Sequence, residues 1–390
     1  MALPLTYNWR NLFVRKVSTA LTFVLVAVVV FVLAVLLSFA AGIRASLSAS
    51  GSPGNIIVLK PGATSESTSI IPPDEANRLV QVPGTARNAA GDLLISREIC
   101  VQTNIPRRDA EGSPANVAIR GVDLIAFDLH EEVRLVEGRF FLPGAMEVMV
   151  GKAAQQRFRD LQMGSEIPLG RLGNRLFRIV GVFEAGGSAL ESELWAPRTA
   201  IGDVFDRRVV SSVILRLQEP VLAPAAIAYV NGPAVNLEAK RETDYYRELA
   251  SKTREIVVLT SVLVGIMGIG AVFAVANTMY AAVDGRRREI AMLRTIGFSR
   301  GSIMLAFIVE SLLICTTACL AGLACSLFVH GSRQDYLSDT TWTVLAYELK
   351  ITPLTVVSAF SLATLVGVIG AVAPAVRASK TRIIEALRKA

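Results

Sequence analysis

The residue types that most often carry catalysis or bind metal ions are sparse in this chain. Its 390 residues include two histidines, His130 and His330, and these lie far apart. The tripeptide His130-Glu131-Glu132 lacks the second histidine of the HExxH zinc motif. Neither histidine belongs to a group of side chains at metal-ligand spacing. We therefore expect no catalytic residue, no metal site and no cofactor bound by this chain.

The nearest approach to a phosphate-binding loop ends at Gly151-Lys152-Ala153. A P-loop needs a glycine five residues before its Gly-Lys pair and a hydroxyl side chain directly after it. Met146 stands at the first of these positions and Ala153 at the second. Because both requirements fail, we expect no binding of ATP by a P-loop in this sequence.

Glu310 is an ionisable residue inside a long apolar run. A carboxylate at the centre of a membrane helix costs roughly 2.5 to 3.5 kcal/mol on insertion scales. A proton or ion relay would need partner groups, and the other apolar runs offer no carboxylate or basic side chain. Glu310 lies only ten residues after Arg300, so the sequence favours a packing or interfacial role near a membrane surface.

The segment from Asp284 to Ser302 is strongly basic and lies between two apolar runs. At about 100° per residue, four apolar side chains fall within one half-turn of a helix and the basic ones on the other side. The apolar group is Ile290, Met292, Leu293 and Ile296, and the opposite group is Arg287, Arg288, Arg294 and Thr295. We expect an ion pair between Asp284 and Arg288 and a helix end at Gly297.

Two interpretations of this basic segment remain open. It is either a solvated loop whose charge fixes membrane topology, or an amphipathic helix whose apolar half is covered by a partner protein. The periodicity alone does not separate them.

Composition predicts a membrane protein with a large aqueous domain. Hydrophobic residues make up 52%, charged residues 19%, and the mean hydropathy is +0.48, too apolar for a soluble domain and too charged for membrane throughout. Long apolar runs predict four transmembrane helices at residues 17–43, 256–283, 301–332 and 351–376, each reaching the ~20 residues that cross a bilayer. The first run is too long for the apolar part of a signal peptide.

Charge predicts the orientation of these helices. Lys and Arg concentrate in residues 1–16, 284–300 and 377–390, whereas residues 44–255 are close to neutral. By the positive-inside rule the three basic segments are cytoplasmic. Residues 1–16 are then an interfacial helix, residues 377–390 a cytoplasmic tail, and residues 333–350 a short extracytoplasmic loop. The charge reflects topology and anionic lipid, so no nucleic acid partner is expected.

Residues 44–255 predict a large extracytoplasmic α+β domain inserted between the first and second membrane helices. Candidate strands alternate with Gly- and Pro-bearing turns and with short helical stretches. The strands are predicted at residues 55–60, 93–101, 116–121, 147–150, 176–183 and 212–217.

Several segments, in this order, resemble the MacB-type (type VII, FtsX-like) ABC transporter permeases. The stretch NWRNLFVRKVSTALTF resembles the opening helix and first span of these permeases. The stretches VEGRFFLPGAMEVMVGKAAQQRF and FRIVGVF resemble their periplasmic core domain. The stretch RRREIAMLRTIGFSRGSIMLAFIVESLL resembles their coupling segment and third span. The stretch APAVRASKTRIIEALR resembles their C-terminal end. The resemblance covers nearly the whole chain.

This resemblance implies a bacterial inner-membrane permease subunit that pairs with a second permease subunit. An ABC ATPase subunit would dock on the coupling segment and bind ATP and Mg²⁺, and its turnover would move the periplasmic domain by mechanotransmission. MacB itself carries a fused ATPase domain, so we expect a separate ATPase polypeptide here. The implied ATPase-coupling residues are Arg287, Glu289, Ile290, Leu293, Arg294, Ile296 and Gly297, with Glu310 as an intramembrane polar residue.

Export of a lipophilic compound, peptide, lipid or lipoprotein is the function that this resemblance favours. The alternative is an FtsX-like transmembrane scaffold that activates a cell-wall hydrolase. The sequence leaves open the substrate, a periplasmic adaptor, and the choice between a homodimer and a heterodimer.

Overall fold

The computed structural model describes residues 16–108, 114–252, 254–337 and 344–380. The interfacial helix predicted at residues 1–16 and most of the predicted tail at 377–390 lie outside these ranges. The chain divides into two compact units. An α/β domain comprises Gly42–Thr253 and Arg333–Glu348, and the rest of the chain forms a membrane unit.

The helices of the described residues fall into long apolar ones and short ones. They are α1 (Lys16–Ser48), α2 (Pro73–Arg78), α3 (Ala126–Leu129), α4 (Lys152–Arg157), α5 (Arg198–Val204), α6 (Ala223–Asn231), α7 (Glu242–Lys252), α8 (Arg254–Gly285), α9 (Arg287–Thr295), α10 (Arg300–Leu327) and α11 (Pro353–Ser379). Four of them, α1, α8, α10 and α11, are long and apolar enough to cross a membrane. The predicted set of four membrane helices is confirmed.

The four membrane helices share an apolar core. Val30 of α1, Val275 of α8, Cys315 of α10 and Ala363 of α11 all lie in it. Small residues permit close approach: a Cβ added to Gly322 would lie 2.5 Å from the carbonyl oxygen of Ala27. At this position the small residue therefore serves packing within one chain.

The α/β domain is built on one large mixed sheet. The described strands are β1 (Asn55–Leu59), β2 (Ile95–Pro106), β3 (Pro114–Val122), β4 (Arg134–Gly138), β5 (Glu147–Gly151), β6 (Glu166–Leu169), β7 (Arg175–Glu184), β8 (Leu194–Pro197), β9 (Ser212–Arg216), β10 (Glu238–Arg241), β11 (Arg333–Leu337) and β12 (Val344–Glu348). Ten of them form a sheet in the order β10-β1-β9-β2-β3-β8-β5-β7-β4, with β6 beside β7. The predicted α+β class is confirmed.

The sequence predicts β1, β2, β3, β5, β7 and β9, and a strand occurs at each of these places. It does not predict β4, β6, β8 and β10, which are only four or five residues long. The strand β10 reads EAKR and carries no apolar alternation. Such strands are defined by pairing with distant strands, which a local pattern does not record.

The segment predicted as a short loop at residues 333–350 contains the antiparallel strands β11 and β12. Together they belong to the α/β domain. Arg157 of α4 donates a hydrogen bond from Nη2 to the carbonyl oxygen of Gln334, at 2.9 Å. A Cβ added to Gly42 would lie 2.3 Å from the carbonyl oxygen of Glu348, so glycine is required for this backbone approach.

A buried ionic cluster lies within the α/β domain and centres on Arg120 of β3. The guanidinium contacts three carboxylates: Glu66 at 2.8 Å, Glu98 at 2.5 Å and Glu193 at 2.7 Å. Ser212 donates to Glu66 at 2.7 Å. Because Arg120 is almost wholly buried, its charge is stable only with such partners.

Replacing Arg120 by Met should therefore be strongly destabilising, because it leaves three buried carboxylates without their shared cation. We expect a loss of about 3 to 5 kcal/mol in the free energy of unfolding. Unfolding of the full chain in detergent, followed by tryptophan fluorescence, measures it. The matched control is Arg198→Met, whose partner Asp123 is partly exposed, with a loss of under about 1 kcal/mol. Equal stability of the two variants would contradict the assigned role of Arg120.

Candidate functional site

The junction between α8 and α9 interrupts the helix at Arg286. This residue has φ −120° and ψ 18°, outside the helical range, so α8 ends at Gly285 and α9 begins at Arg287. The sequence predicts an ion pair between Asp284 and Arg288. Asp284 instead pairs with Arg287 at 2.8 Å, because the i,i+4 geometry of one continuous helix does not extend across the break.

As predicted, α9 stops where Gly297 follows it. Gly297 has φ +105°, a conformation that favours glycine. Its N–H donates to the carbonyl oxygen of Arg294 at 3.3 Å, and the N–H of Phe298 donates to that of Leu293 at 3.1 Å. This pair of bonds is a Schellman motif, which satisfies the last carbonyl groups of α9. The next helix starts three residues later, capped by Ser299.

The apolar residues of α9 divide between two directions. Ile290 is buried with Ile303 and Phe307 of α10 and Ala375 of α11. The prediction that Ile290 lies on a face open to a partner therefore needs correction, because the ends of the chain's own membrane helices cover it. A helical wheel gives the relative directions of side chains and not which of them the same chain buries.

The opposite side of α9 presents apolar side chains to the surroundings. Met292 is 50% exposed and Ile296 is 76% exposed, while Leu293 is half-buried. Met292 and Ile296 are four residues apart and so lie on one side. We call these two residues the exposed apolar pair. Within the predicted contact surface for a partner, these are the apolar residues that stay exposed.

The charged residues of the predicted coupling set lie around this helix. Arg287 and Glu289 are exposed in the first turn of α9, where an acidic side chain is favoured by the helix dipole. Arg294 donates from Nη1 to the carbonyl oxygen of Ser379 at 3.0 Å. This bond joins the end of α9 to the end of α11.

Glu310 of α10 forms a bidentate ion pair with Arg286. The two nitrogen–oxygen distances are both 3.0 Å, and both side chains are largely buried. The sequence placed Glu310 in a packing role but did not identify Arg286 as its partner. One signal was available: Arg286 interrupts the apolar half of the predicted helix, where an unpaired charge is unfavourable.

Together these contacts attach α9 to three membrane helices. Its start is held to α10 by Arg286, its buried side packs on α10 and α11 through Ile290, and its end is bonded to α11 through Arg294. Asp284, the penultimate residue of α8, pairs with Arg287 on α9. These contacts hold the short amphipathic helix α9 against the ends of the membrane helices around it.

His130 lies buried in the α/β domain. In the sequence it was assessed only as a metal ligand. Its Nε2 is 3.2 Å from Glu98. Burial alone would lower the pKa of His130, but the charge of Glu98 raises it to about 10. Burial would raise the pKa of Glu98, but Arg120 and His130 lower it to about 2. Among the described residues no cluster suited to a metal ion occurs.

Comparison with known proteins finds two family models. Residues 19–232 match the MacB-like periplasmic core domain, and residues 261–383 match the FtsX-like permease C-terminal region. Together they cover most of α1, of the α/β domain and of the last three membrane helices.

Two curated relatives are named for export. The macrolide export ATP-binding/permease protein MacB of Escherichia coli is 25% identical over 345 residues, which cover 84% of this chain and 51% of that protein. The probable syringafactin export ATP-binding/permease protein SyfD of Pseudomonas syringae is 26% identical over 205 residues, covering 50% of this chain and 29% of that protein. The chain thus spans about half the length of the first relative.

Among solved structures, the periplasmic region of MacB from Actinobacillus actinomycetemcomitans is similar with 12% identity and a TM-score of 0.36. The match covers 51% of this chain and 93% of that one.

The pairing of Arg286 with Glu310 predicts strong coupling in a double-mutant cycle. Either Arg286→Met or Glu310→Leu alone leaves an uncompensated charge and should cost about 3 kcal/mol. The double variant should cost clearly less than the sum, because neither charge remains. Thermal unfolding of the full chain in detergent gives the three values, with Asp284→Asn as an exposed ion-pair control. Additive losses would show that the two side chains do not interact.

Proposed function

Because the chain belongs to the family of MacB-like (type VII, FtsX-like) ABC transporter permeases, we propose that it is the membrane subunit of an export complex driven by ATP. In this proposal a separate ABC ATPase subunit docks on α9, and its cycle of ATP binding and hydrolysis changes the conformation of the α/β domain. The chain acts as a mechanical transmitter. Two permease subunits, this chain twice or with a related one, form the working unit.

The exposed apolar pair on α9 is the observation that supports ATPase docking. Charged or polar residues usually occupy a solvated helix end. Ile296 is apolar and yet 76% exposed. The basic segment around it supports a cytoplasmic position for this surface under the positive-inside rule. An ATPase that buries Met292 and Ile296 would remove this apolar surface from water.

The contacts of α9 supply the first step of the proposed transmission. Force applied to α9 acts on α10 through the Arg286–Glu310 pair and on α11 through Arg294 and Ile290. The chain between α10 and α11 folds as β11 and β12 within the α/β domain. The α/β domain is thus linked by covalent continuity to every membrane helix that α9 moves.

The substrate class in this proposal is a lipophilic small molecule, peptide, lipid or lipoprotein exported outward. Two relatives are named for export, one of macrolides and one of syringafactin, which supports an export function. The α/β domain would lie on the extracytoplasmic side and both chain termini in the cytoplasm.

Replacing Ile296 by Asp tests ATPase docking without disturbing the buried side of α9. Placing a carboxylate in an apolar contact should cost at least about 3 kcal/mol, and so reduce association of the ATPase about a hundredfold. Retention of the ATPase subunit by the purified full chain in nanodiscs, and its ATP turnover, are the measurements.

The matched control is Val221→Asp, since Val221 is 72% exposed and lies in the α/β domain. This variant should retain the ATPase as well as the natural chain does. Equal retention by Ile296→Asp would overturn the docking assignment and favour a scaffold that does not engage an ATPase through α9.

A further inference from the structure

Glu242, the first residue of α7, holds together two chain segments of the α/β domain. Its Oε2 accepts hydrogen bonds from the Ser52 N–H and from Asn55 Nδ2, both at 2.9 Å. A Cβ added to Gly51 would lie 3.0 Å from the backbone nitrogen of Thr243, so the two backbones are in close contact. The first segment follows α1 and the second precedes α8. The carboxylate therefore fastens the two connections between the α/β domain and the first two membrane helices.

The other oxygen of this carboxylate is unsatisfied. Glu242 is wholly buried, and within the described part of the chain its Oε1 has no hydrogen-bond partner. His130 Nδ1 lies 3.5 Å from Glu132 Oε1, an ion-pair contact without hydrogen-bond geometry. Asn55 Nδ2 bonds both Glu242 and the carbonyl oxygen of Leu129, which places Glu242 beside the His130 segment. A buried charged oxygen without a donor is unfavourable, whereas a protonated carboxyl group removes the charge.

We propose that Glu242 is a proton-controlled clamp, which is closed when its carboxyl group is protonated and loosens when the proton leaves. The closed clamp joins the segment after α1 to the start of α7. When the clamp loosens, these two segments separate and water reaches the Glu242 carboxylate. This regulation goes beyond the proposed export function and does not depend on the ATPase.

The sign of the pH dependence follows from burial. Burial raises the pKa of Glu242 from 4.5 to about 7, although the charge of His130 and the hydrogen bonds from Ser52 and Asn55 oppose the shift. In the loosened state the hydrated side chain returns to the ordinary value. The contribution of the protonated group to clamp stability is therefore fully present below pH 4.5 and is lost as the pH rises through 7.

Two neighbouring groups, His130 and Glu98, keep their charge across this range. His130 has its pKa raised to about 10 and Glu98 has its pKa lowered to about 2. The charge of Glu132 contributes to the raised pKa of Glu242. Arg216 donates hydrogen bonds to Asn55 and to the carbonyl oxygen of Leu129. Asn55 in turn bonds Glu242. On β10 and the solvent side of α7, Lys240 pairs with Glu238 and Glu248.

Hydrogen exchange of the full chain in detergent micelles, measured by mass spectrometry between pH 5 and pH 8, tests the clamp. After correction for the intrinsic rate, protection of residues 49–55 and 242–252 should fall on the order of fiftyfold across this range. The buried strand β5 should show no such change and serves as an internal reference.

The Glu242→Gln variant is neutral at every pH and should keep constant corrected protection. Glu132→Gln removes a neighbouring negative charge and should move the midpoint of the natural transition to lower pH. Corrected protection that is independent of pH in the natural chain would overturn the proposal. An unchanged transition in Glu242→Gln, or an unchanged midpoint in Glu132→Gln, would also overturn it.

Discussion

The ion pair between Arg286 and Glu310 sets the arrangement of the membrane unit around α9. A carboxylate in a membrane helix costs roughly 2.5 to 3.5 kcal/mol when it is unpaired, so Glu310 needs a cation nearby. Arg286 meets this need only if α8 ends and the chain turns before α9 begins. The same pair thus explains the helix break and the attachment of α9 to α10. The buried position of Ile290 and the bond from Arg294 to α11 then follow from where α9 is held.

In the α/β domain, buried charged side chains are likewise stabilised by partners of opposite charge. Arg120 is buried with three carboxylates that come from β2, from the segment between β1 and α2, and from the residue before β8. These contacts fix a permanent arrangement, because removing any member leaves a buried charge. Glu242 differs, since one of its oxygens has no partner in the described chain. The first cluster is a structural anchor, whereas the second is a joint that a proton can adjust.

The features that could be predicted from the sequence are those that local pattern determines. Long apolar runs require helices in a bilayer, and short apolar runs bounded by turn residues identified β1 and β7. The strand β10, which is polar, and β8, which is short, owe their structure to distant strands. The partner of Glu310 was not predicted because Arg286 is 24 residues away and the contact depends on a turn between two helices. Ile290 was misplaced because periodicity does not say which neighbour covers an apolar face.

In the proposed mechanism, an ATPase acting on α9 changes the conformation of the α/β domain. A spin label at Leu172→Cys, a position that is 82% exposed in that domain, reports this movement in a background carrying Cys325→Ala. The measurement is the distance distribution between labels on the two permease subunits of the assembled complex, without nucleotide and with ATP and vanadate. We expect a nucleotide-dependent shift that Ile296→Asp abolishes. An unchanged distribution in a complex that hydrolyses ATP at its full rate would contradict the proposed mechanism.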